Sequence, residues 1–378
     1  MFELCDDLAA VHDVTAIVGP STRANSPAHG LVSREMRGRV TIIRNWATTF
    51  AKTRLSARLI NLATYFACAA LSTFGVERPD VIVAETDPPL LGALGAILKR
   101  RWRCRLVYNV RDLYPDIAIV NGGVRSRVLL ELLARANRIG FERADLIITL
   151  GQDMAERIVR QGVPRSKVAV APDWADCARI FPLASSPLRQ SLGERFVVMY
   201  SGNLGLSQQL ETVLAAANRL RGDPRILFVL VGEGARKEWL IGQANAMGLA
   251  NVAFLPYQPR EKLAESLSAA DLHLVALAPG AAGCGVPSKI YGILAAGRPF
   301  VAVMEDEAEA ARIARDHSVG LVVAPGDAEG LAATIAGAAG NLQELRAMGA
   351  RARRLAEQKY DRAVATRKFD ALLASLAS

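Results

Sequence analysis

Short β-branched runs alternate with longer helical stretches almost from end to end of this chain, and this alternation constrains the fold more than any other feature. In the first half, Val14–Val18, Asp80–Ala84 and Arg105–Val110 are predicted strands, and a helix is predicted between the last two. Parallel strands need a crossover connection, which is usually a helix. The alternation therefore predicts an α/β fold with parallel sheets covered by helices on both faces.

One stretch interrupts the alternation. Between Pro172 and Pro187 the chain shows no clear period and contains a third proline, Pro182, which is typical of a linker. Strand and helix units resume at Phe196–Tyr200. Two Rossmann-like domains joined in this way place a cleft between the carboxyl ends of their sheets. We predict a first domain over residues 1–172, a linker over 173–190, a second domain over 191–350, and a C-terminal helix over 351–378 that packs back towards the first domain.

Composition narrows the class of protein. The 378 residues are 51% apolar, which indicates a globular chain, and carry a formal net charge of +9. That charge suits nucleic acid, a phosphate-bearing substrate, an anionic membrane or plain solubility. The five cysteines are scattered without a CxxC pair, and the segment after Met1 lacks the pattern of a signal peptide. We therefore expect reduced thiols and a cytoplasmic location.

An uncharged segment from Leu59 to Val76 bears on contact with a membrane. Its length falls at the lower limit for a spanning helix. However, Asn61, Thr64 and Cys68 recur at spacings of three and four, which is typical of a helix that lies on a protein or membrane surface. We predict a surface helix that does not span.

Two glycine turns follow predicted strands in the second half. The first is Gly202-Asn203-Leu204-Gly205, and the second is Gly232-Glu233-Gly234 with Arg236 just beyond it. Glycine lets the backbone approach a ligand closely, and the N-terminus of a following helix offers N–H groups to an anion. One such turn is as often structural as functional. Two turns after successive strands favour a phosphate-bearing ligand at the sheet edge.

The segment Val286-Pro287-Ser288-Lys289 carries the sharpest local signal. Proline, serine and lysine at a helix start bring amides, a hydroxyl and an ammonium to one positive terminus, which suits a diphosphate. The alternative is an ordinary capped helix with a solvated lysine. The glycine-rich loop at 279–285 ahead of it favours the ligand.

In the first half, Arg111 and Asp112 follow the strand Arg105–Val110 at the equivalent cleft position. This pair could orient an acceptor hydroxyl and take its proton, or Asp112 could be a plain cap or turn residue. The sequence contains no DxD motif, and its four histidines form no HxH or HxxxH pair. We therefore predict neither a metal site nor a cofactor.

Taken together and in order, these segments make the chain resemble the family 4 retaining glycosyltransferases of the GT-B fold, in the branch that builds capsule, exopolysaccharide and O-antigen. The resemblance covers nearly the whole chain and includes NVRDLYPD, ADLIITLGQDMAERI, GVPRSKVAVAPDWAD, YSGNLG, LVGEGARKEWL, NVAFLPYQPREKLAESLSAADLHLV, VPSKIYGILAAGRP and GLVVAPGDAEGLAATI.

The resemblance implies that a nucleotide sugar binds mainly to the C-terminal half and reacts without an enzyme nucleophile. It places the diphosphate near the first glycine turn, the rest of the donor near the second turn and Arg236, and the base beside Tyr257. It makes Lys289 and the helix start at Pro287-Ser288 the groups that stabilise the leaving phosphates. The donor-site residues that we predict are Gly202, Asn203, Gly205, Gly232, Gly234, Arg236, Tyr257, Pro287, Ser288 and Lys289, with Asp112 and Lys289 catalytic and Arg111 on the acceptor side.

The chain departs from the family pattern at three places. The frequent pair of glutamates eight positions apart falls at Cys284 and Gly292, and the cations that many relatives place around the first glycine turn are replaced by Asn203 and by Gln208 or Gln209. Relatives also begin with a strand and glycine loop ahead of the helix that matches Phe2–His12. We therefore expect the first sheet to lack one member.

The expected partners are a nucleotide sugar and a glycan or lipid-diphosphate-linked acceptor. From the branch that the chain resembles, we expect the nucleotide sugar to be a UDP-linked N-acetylated amino sugar. The uncharged segment together with the basic run Lys99–Arg105, which contains Trp102, predicts peripheral contact with an anionic membrane; a core helix and a solvated basic turn are the alternative. Two other functions stay open, a GT-B epimerase or phosphorylase and a nucleotide-binding protein without turnover. Nucleic acid is not expected, because the basic residues do not gather on a recognition helix.

Overall fold

The structure is a computed structural model that describes residues 1–20, 32–50, 55–120, 122, 124, 126–205 and 208–377. Its strands are β1 Thr15–Val18, β2 Val32–Arg37, β3 Val40–Asn45, β4 Val81–Glu85, β5 Arg105–Val110, β6 Leu146–Thr149, β7 Val168–Val170, β8 Phe196–Ser201, β9 Ile226–Val231, β10 Val252–Leu255, β11 Leu272–Ala276, β12 Phe300–Val303 and β13 Gly320–Val323.

Helices follow or precede most of these strands, which confirms the predicted α/β class. They are α1 Phe2–Leu8, α2 Leu55–Ser72, α3 Leu91–Trp102, α4 Asp116–Val120, α5 Arg127–Arg143, α6 Gln152–Arg160, α7 Pro187–Ser191, α8 Glu211–Arg219, α9 Lys237–Ala246, α10 Leu263–Ser268, α11 Lys289–Ala295, α12 Glu309–Asp316, α13 Ala328–Ala339, α14 Leu342–Leu355 and α15 Arg362–Ala377.

The C-terminal half is built on a parallel sheet with strand order β10-β9-β8-β11-β12-β13. Every residue of β9, the strand Ile226–Val231, is buried, because helices cover both faces of the sheet. Its register places the ends of β8 and β9 side by side, with Ser201 opposite Val231. The two glycine turns that follow these strands therefore start from neighbouring positions.

In the N-terminal half the described strands form two sheets. One is parallel, with order β4-β5-β6-β7, and the other has order β1-β3-β2. β2 pairs antiparallel to β3 through a tight turn in which Gly38 has φ of 60°, a conformation that favours glycine. This hairpin differs from the parallel pattern that the sequence predicts, since the alternation gave no signal for a strand at β2.

Helices α3 and α5 approach each other closely above the parallel sheet of the N-terminal half. Ideal Cβ atoms built on Gly92 and Gly140 would stand 2.7 Å and 2.8 Å from atoms of the Tyr108 ring. The ring cannot easily move away, because the hydroxyl of Tyr108 donates a 2.7 Å hydrogen bond to Asn137 and the residue is 2% exposed. The two glycines therefore set how closely these helices pack.

The C-terminal segment, expected as one helix, is two helices. A π-helical turn at Ala356–Tyr360 separates α14 from α15. Beyond this turn α15 lies against α1: Arg362 forms a bidentate pair with Asp7, and Phe369 packs in a cluster with Leu4. The chain thus ends on the N-terminal half.

Most of the uncharged segment lies in α2, which ends at Ser72. The polar stripe of this helix faces the protein. The hydroxyl of Thr48 donates to the side-chain oxygen of Asn61 and is 3.0 Å from the hydroxyl of Thr64. Ile60 and Leu71 of the same helix are exposed. In the part of the chain that the structure describes, no helix is both long enough and apolar enough to cross a membrane.

Replacing Gly140 by alanine is expected to lower the free energy of unfolding by about 1–3 kcal/mol, because the added methyl group overpacks the Tyr108 ring. Gly242→Ala is the matched control, since Gly242 is also inside a helix but has nothing within 4 Å of its ideal Cβ. That change should stabilise by up to about 1 kcal/mol. Urea unfolding measures both; equal effects of the two substitutions would contradict the packing argument.

Candidate active site between the two halves

The two glycine turns are joined by backbone hydrogen bonds. The amide of Gly202 donates to Val231, that of Leu204 donates to Glu233, and that of Arg236 donates back to Leu204, at 2.8–2.9 Å. An ideal Cβ on Gly232 would stand 1.9 Å from the carbonyl oxygen of Gly202. The turns can therefore pack in this way only while position 232 is glycine.

Lys289, the first residue of α11, extends beneath the first glycine turn. Its Nζ lies 3.6 Å from the centroid of the Tyr200 ring, a cation–π distance. An ideal Cβ on Gly202 would stand 2.7 Å from the same Nζ. The glycine thus makes room for the ammonium, and the structure brings these two predicted donor-site residues together.

The surroundings of Lys289 disfavour its charge. Burial lowers the pKa of its ammonium to about 7, far below the ordinary value of 10.5. A half-buried cation beside glycine backbone, with a lowered pKa, is the type of group that an anionic ligand would stabilise.

The other residues predicted on the donor side surround this position. Tyr257 is exposed, and its ring edge is 3.5 Å from the ideal Cβ of Gly232. Arg236 stacks on the Trp239 ring at 3.7 Å and pairs with Glu211, so its guanidinium already has a carboxylate partner in this structure. Gly234 packs on the carbonyl of Leu204 and on the side chain of Asn203.

The remaining donor-side residues lie at the ends of these segments. Gly205 donates its amide to Gln208 at the end of the first turn. Ser288 is exposed and Pro287 half-buried at the start of α11. The hydroxyl of Ser288 makes no cap hydrogen bond to the described residues of this helix.

Asp112, from the N-terminal half, contacts the loop that leads into α11. It forms an isolated antiparallel bridge with Gly285, and its Oδ1 would be 3.1 Å from an ideal Cβ on that glycine. The next amide, of Leu113, donates a 2.7 Å hydrogen bond to the carbonyl of Cys284. Since Gly285 precedes the start of α11 by a few residues, Asp112 contacts the loop that leads into Lys289.

Arg111 and Asp112 have different environments. The backbone amides of both donate to the hydroxyl of Thr86 at 3.0 Å, which holds the turn after β5. The guanidinium of Arg111 pairs with Asp173, which is buried. Burial and the nearby carboxylate of Asp87 raise the pKa of Asp112, and Arg111 offsets part of this rise. The guanidinium of Arg111 is thus already held in an internal ion pair, whereas Asp112 is a carboxylate with a raised pKa.

Among the described residues, no group of three or more His, Cys, Asp or Glu is arranged to hold a metal ion.

Comparison with known proteins identifies the family. The model of the Glycosyl transferase 4-like domain matches residues 2–174, and that of Glycosyl transferases group 1 matches residues 188–355. The chain is also 30% identical over 291 residues to "Putative colanic acid biosynthesis glycosyl transferase WcaI" of Escherichia coli K12, covering 74% of this chain and 71% of that protein. This chain belongs to the family 4 glycosyltransferases.

A second relative and two solved structures agree with this assignment. "Probable glycosyltransferase WbjE" of Pseudomonas aeruginosa is 30% identical over 340 residues, with 86% of this chain and 82% of that protein covered. HepE of Anabaena, crystallised with UDP, superposes with a TM-score of 0.71 at 20% identity over 90% of this chain and 87% of its own. Sucrose-phosphate synthase of Thermosynechococcus elongatus gives 0.79 at 21% identity, over 100% and 92%. The two structures confirm the GT-B fold, and the family match confirms a glycosyltransferase.

Three residues of the site were not anticipated from the sequence. Tyr200 supplies the ring beneath Lys289, Thr86 holds the turn that carries Asp112, and Glu211 pairs with Arg236. Tyr200 could have been noticed, because it closes the strand before the first glycine turn. Thr86 and Glu211 reach the site through contacts with residues of other strand and helix units, Asp112 and Arg236.

We expect Lys289→Met to have a higher free energy of unfolding than the wild type at pH 7, and to lose part of this advantage as the pH rises to 9. The folded-state pKa is about 7 and the ordinary value is 10.5, so between these values the unfolded chain binds more protons at this residue. Lys289 therefore makes wild-type stability rise with pH, by at most about 1.4 kcal/mol per pH unit. Urea unfolding at pH 7, 8 and 9 measures the difference between the two proteins; a constant difference would show that Lys289 keeps an ordinary pKa.

Proposed function

We propose that the protein is a retaining glycosyltransferase that moves a sugar from a nucleotide-diphosphate donor to a glycan or lipid-linked acceptor in cell-surface polysaccharide biosynthesis. The observation that carries the proposal is the position of Lys289. It lies under the joined glycine turns of the C-terminal half, and the loop that leads into it contacts Asp112 of the N-terminal half. A cation at the start of a helix in one half, with a carboxylate of the other half at the loop before it, fits a diphosphate leaving group facing an acceptor hydroxyl.

In this reaction the bond between the anomeric carbon and the β-phosphate oxygen breaks, and its electron pair leaves with the diphosphate. The acceptor oxygen bonds to the same face of that carbon, and its proton passes to the leaving diphosphate. Lys289 and the start of α11 at Pro287-Ser288 stabilise the charge that develops on the leaving group. Asp112 accepts a hydrogen bond from the acceptor hydroxyl and orients it, and its raised pKa makes it an effective acceptor.

UDP is the donor nucleotide that we propose. Support comes from HepE, whose solved structures contain UDP and UDP-glucose, and from Tyr257, an exposed ring beside the second glycine turn on which a base can stack. For the sugar we propose an N-acetylated amino sugar, following the polysaccharide branch that the sequence resembles. An acceptor that belongs to a growing surface glycan is consistent with the similarity to WcaI, which is named for colanic acid biosynthesis.

We also propose that the N-terminal half rests on an anionic membrane. Ile60 and Leu71 on α2 and Ile97 on α3 are exposed apolar side chains, and Phe74 between these helices is 72% exposed. The guanidinium of Arg101 stacks 4.1 Å from the Phe74 ring centroid. Apolar side chains bordered by cations suit the interface of an anionic bilayer, where lipid-linked acceptors are found.

UDP is expected to raise the melting temperature of the wild-type protein, and Lys289→Ala is expected to abolish most of this shift. The ammonium is the cation nearest to the first glycine turn, so its removal leaves a diphosphate without its main charge partner. Thermal-shift titrations with UDP, GDP and CMP measure this. An unchanged UDP shift in the variant would count against Lys289 as a phosphate ligand.

Asp112→Asn is the companion variant for the transfer step. It should keep the UDP shift but lower the rate of sugar transfer by about 100-fold or more, because the amide cannot receive the hydroxyl hydrogen in the same way. Binding of UDP without transfer or donor hydrolysis by the wild type would instead favour a nucleotide-binding protein without turnover.

The protein is expected to float with vesicles that contain phosphatidylglycerol at low salt, and not with purely zwitterionic vesicles. Arg101→Glu should reduce flotation, since it places a like charge at the proposed contact. Arg346→Glu, at an exposed position of α14 in the other half, changes the net charge equally and serves as control. Equal loss of flotation in both variants would point to net charge and not to this surface.

A further inference from the structure

The loop at 279–285, which leads into the start of α11, is held largely by the opposite half of the molecule. We propose that Asp153 and Arg157, both on α6, are positioning residues that set this loop and through it the donor site. The inference rests on the proposed function for its effect on catalysis, whereas its structural part stands on the contacts of the loop.

Asp153 makes the central contact. Its Oδ2 accepts the amide of Gly283 at 3.1 Å and the amide of Glu309 at 2.9 Å, and its Oδ1 accepts the amide of Met154 at 2.7 Å. Asp153 is 4% exposed, so these backbone bonds replace its hydration. One carboxylate from the N-terminal half thus fixes both the loop and the beginning of α12.

Glu309 returns the contact. Its Oε2 accepts the amide of Gln152, the first residue of α6, at 2.7 Å. Each of the two helices is therefore capped by an acidic side chain of the other, across the boundary between the halves. Acidic groups at helix N-termini satisfy free amides and complement the helix dipole. This reciprocal arrangement defines how α6 lies against the C-terminal half.

Arg157, one turn further along α6, holds the loop at a second point. Its Nη1 donates to the carbonyl of Ala282 at 2.9 Å, and its Nη2 pairs with Asp116. With the Leu113 amide on the carbonyl of Cys284, three successive loop residues are each bonded to the N-terminal half.

From the rest of its own half the loop makes one hydrogen bond to a side chain among the described residues, in which the amide of Gly280 donates to the carboxylate of Glu305. Gly280 and Gly283 have φ of 77° and 73°, so the loop follows a path that disfavours other residue types.

Since α11 and Lys289 follow directly, docking of α6 and the conformation of the donor site are linked. Such linkage is reciprocal: groups that fix α6 should raise donor affinity, and the donor should stabilise the docked α6.

Hydrogen exchange with mass spectrometry on the full-length protein tests the structural part without any substrate. Asp153→Asn and Arg157→Met are expected to speed exchange of the amides in 278–288. Glu156→Gln is the matched control, because the carboxylate of Glu156 accepts hydrogen bonds of 2.8 and 2.7 Å from Arg312, which joins α6 to α12 and not to the loop. Arg157→Lys keeps a donor for Ala282 and should restore part of the protection.

The same variants are then titrated with UDP. Asp153→Asn and Arg157→Met should raise the Kd about tenfold, within the range typical of coupled sites, and Glu156→Gln should change it less than twofold. UDP should slow exchange in α6 of the wild type. Equal exchange of 278–288 in folded Arg157→Met and wild type would overturn the proposal, as would an equal effect of the Glu156 control.

These experiments distinguish failure of the proposed function from failure of the linkage between the loop and the donor site. If wild-type protein binds no nucleotide but Asp153→Asn still loosens the loop, the proposed function fails and the positioning contact stands. If UDP binds equally to wild type and to variants with a loosened loop, the donor site is independent of the loop and the linkage fails.

Discussion

The site depends on a contact between two stretches of backbone. Gly202 and Gly232 come so close that a Cβ at position 232 would stand 1.9 Å from a carbonyl oxygen. This contact draws the turns after β8 and β9 into one surface and leaves a space below Gly202 that the Lys289 ammonium enters. Without it the two turns would be separate loops, and the space that the Lys289 ammonium occupies would not form. The GT-B sheet supplies the framework, since parallel pairing of β8 and β9 ends both strands at the same edge.

Much of this could be predicted from the chain, because the signals are local. A buried strand followed by glycines and a helix determines where a turn falls, and the carboxyl ends of parallel strands meet at one edge whatever the details of the sheet. The positions of Gly202, Gly232 and Lys289 follow from those rules. Asp112 follows in the same way, since it is two residues beyond β5. The side chain of Lys289 could not be placed, because its partner Tyr200 is set by the packing of α11 under the first turn.

The features that escaped prediction are those that depend on distant parts of the chain. β2 is a strand because it pairs with β3, although its own residues are mostly exposed and polar. The break between α14 and α15 lies where Asp361 pairs with Ala175 of the linker region, so a tertiary contact overrides a helical pattern. The capping between α6 and α12 joins residues more than 150 positions apart. No periodicity within a short window contains that information.

Charge is divided between the two halves in a way that favours the chemistry of sugar transfer. The N-terminal side presents Asp112 with Asp87 nearby, and the C-terminal side presents Lys289 beside Gly202 and the Tyr200 ring. Because burial lowers the pKa of Lys289 to about 7, the ligand-free site carries its full positive charge only below neutral pH. A diphosphate entering there would raise that pKa again, so binding of the donor would take up a proton above pH 7. The same cation would then be fully charged when the sugar–phosphate bond breaks, which is the moment at which the leaving group needs it.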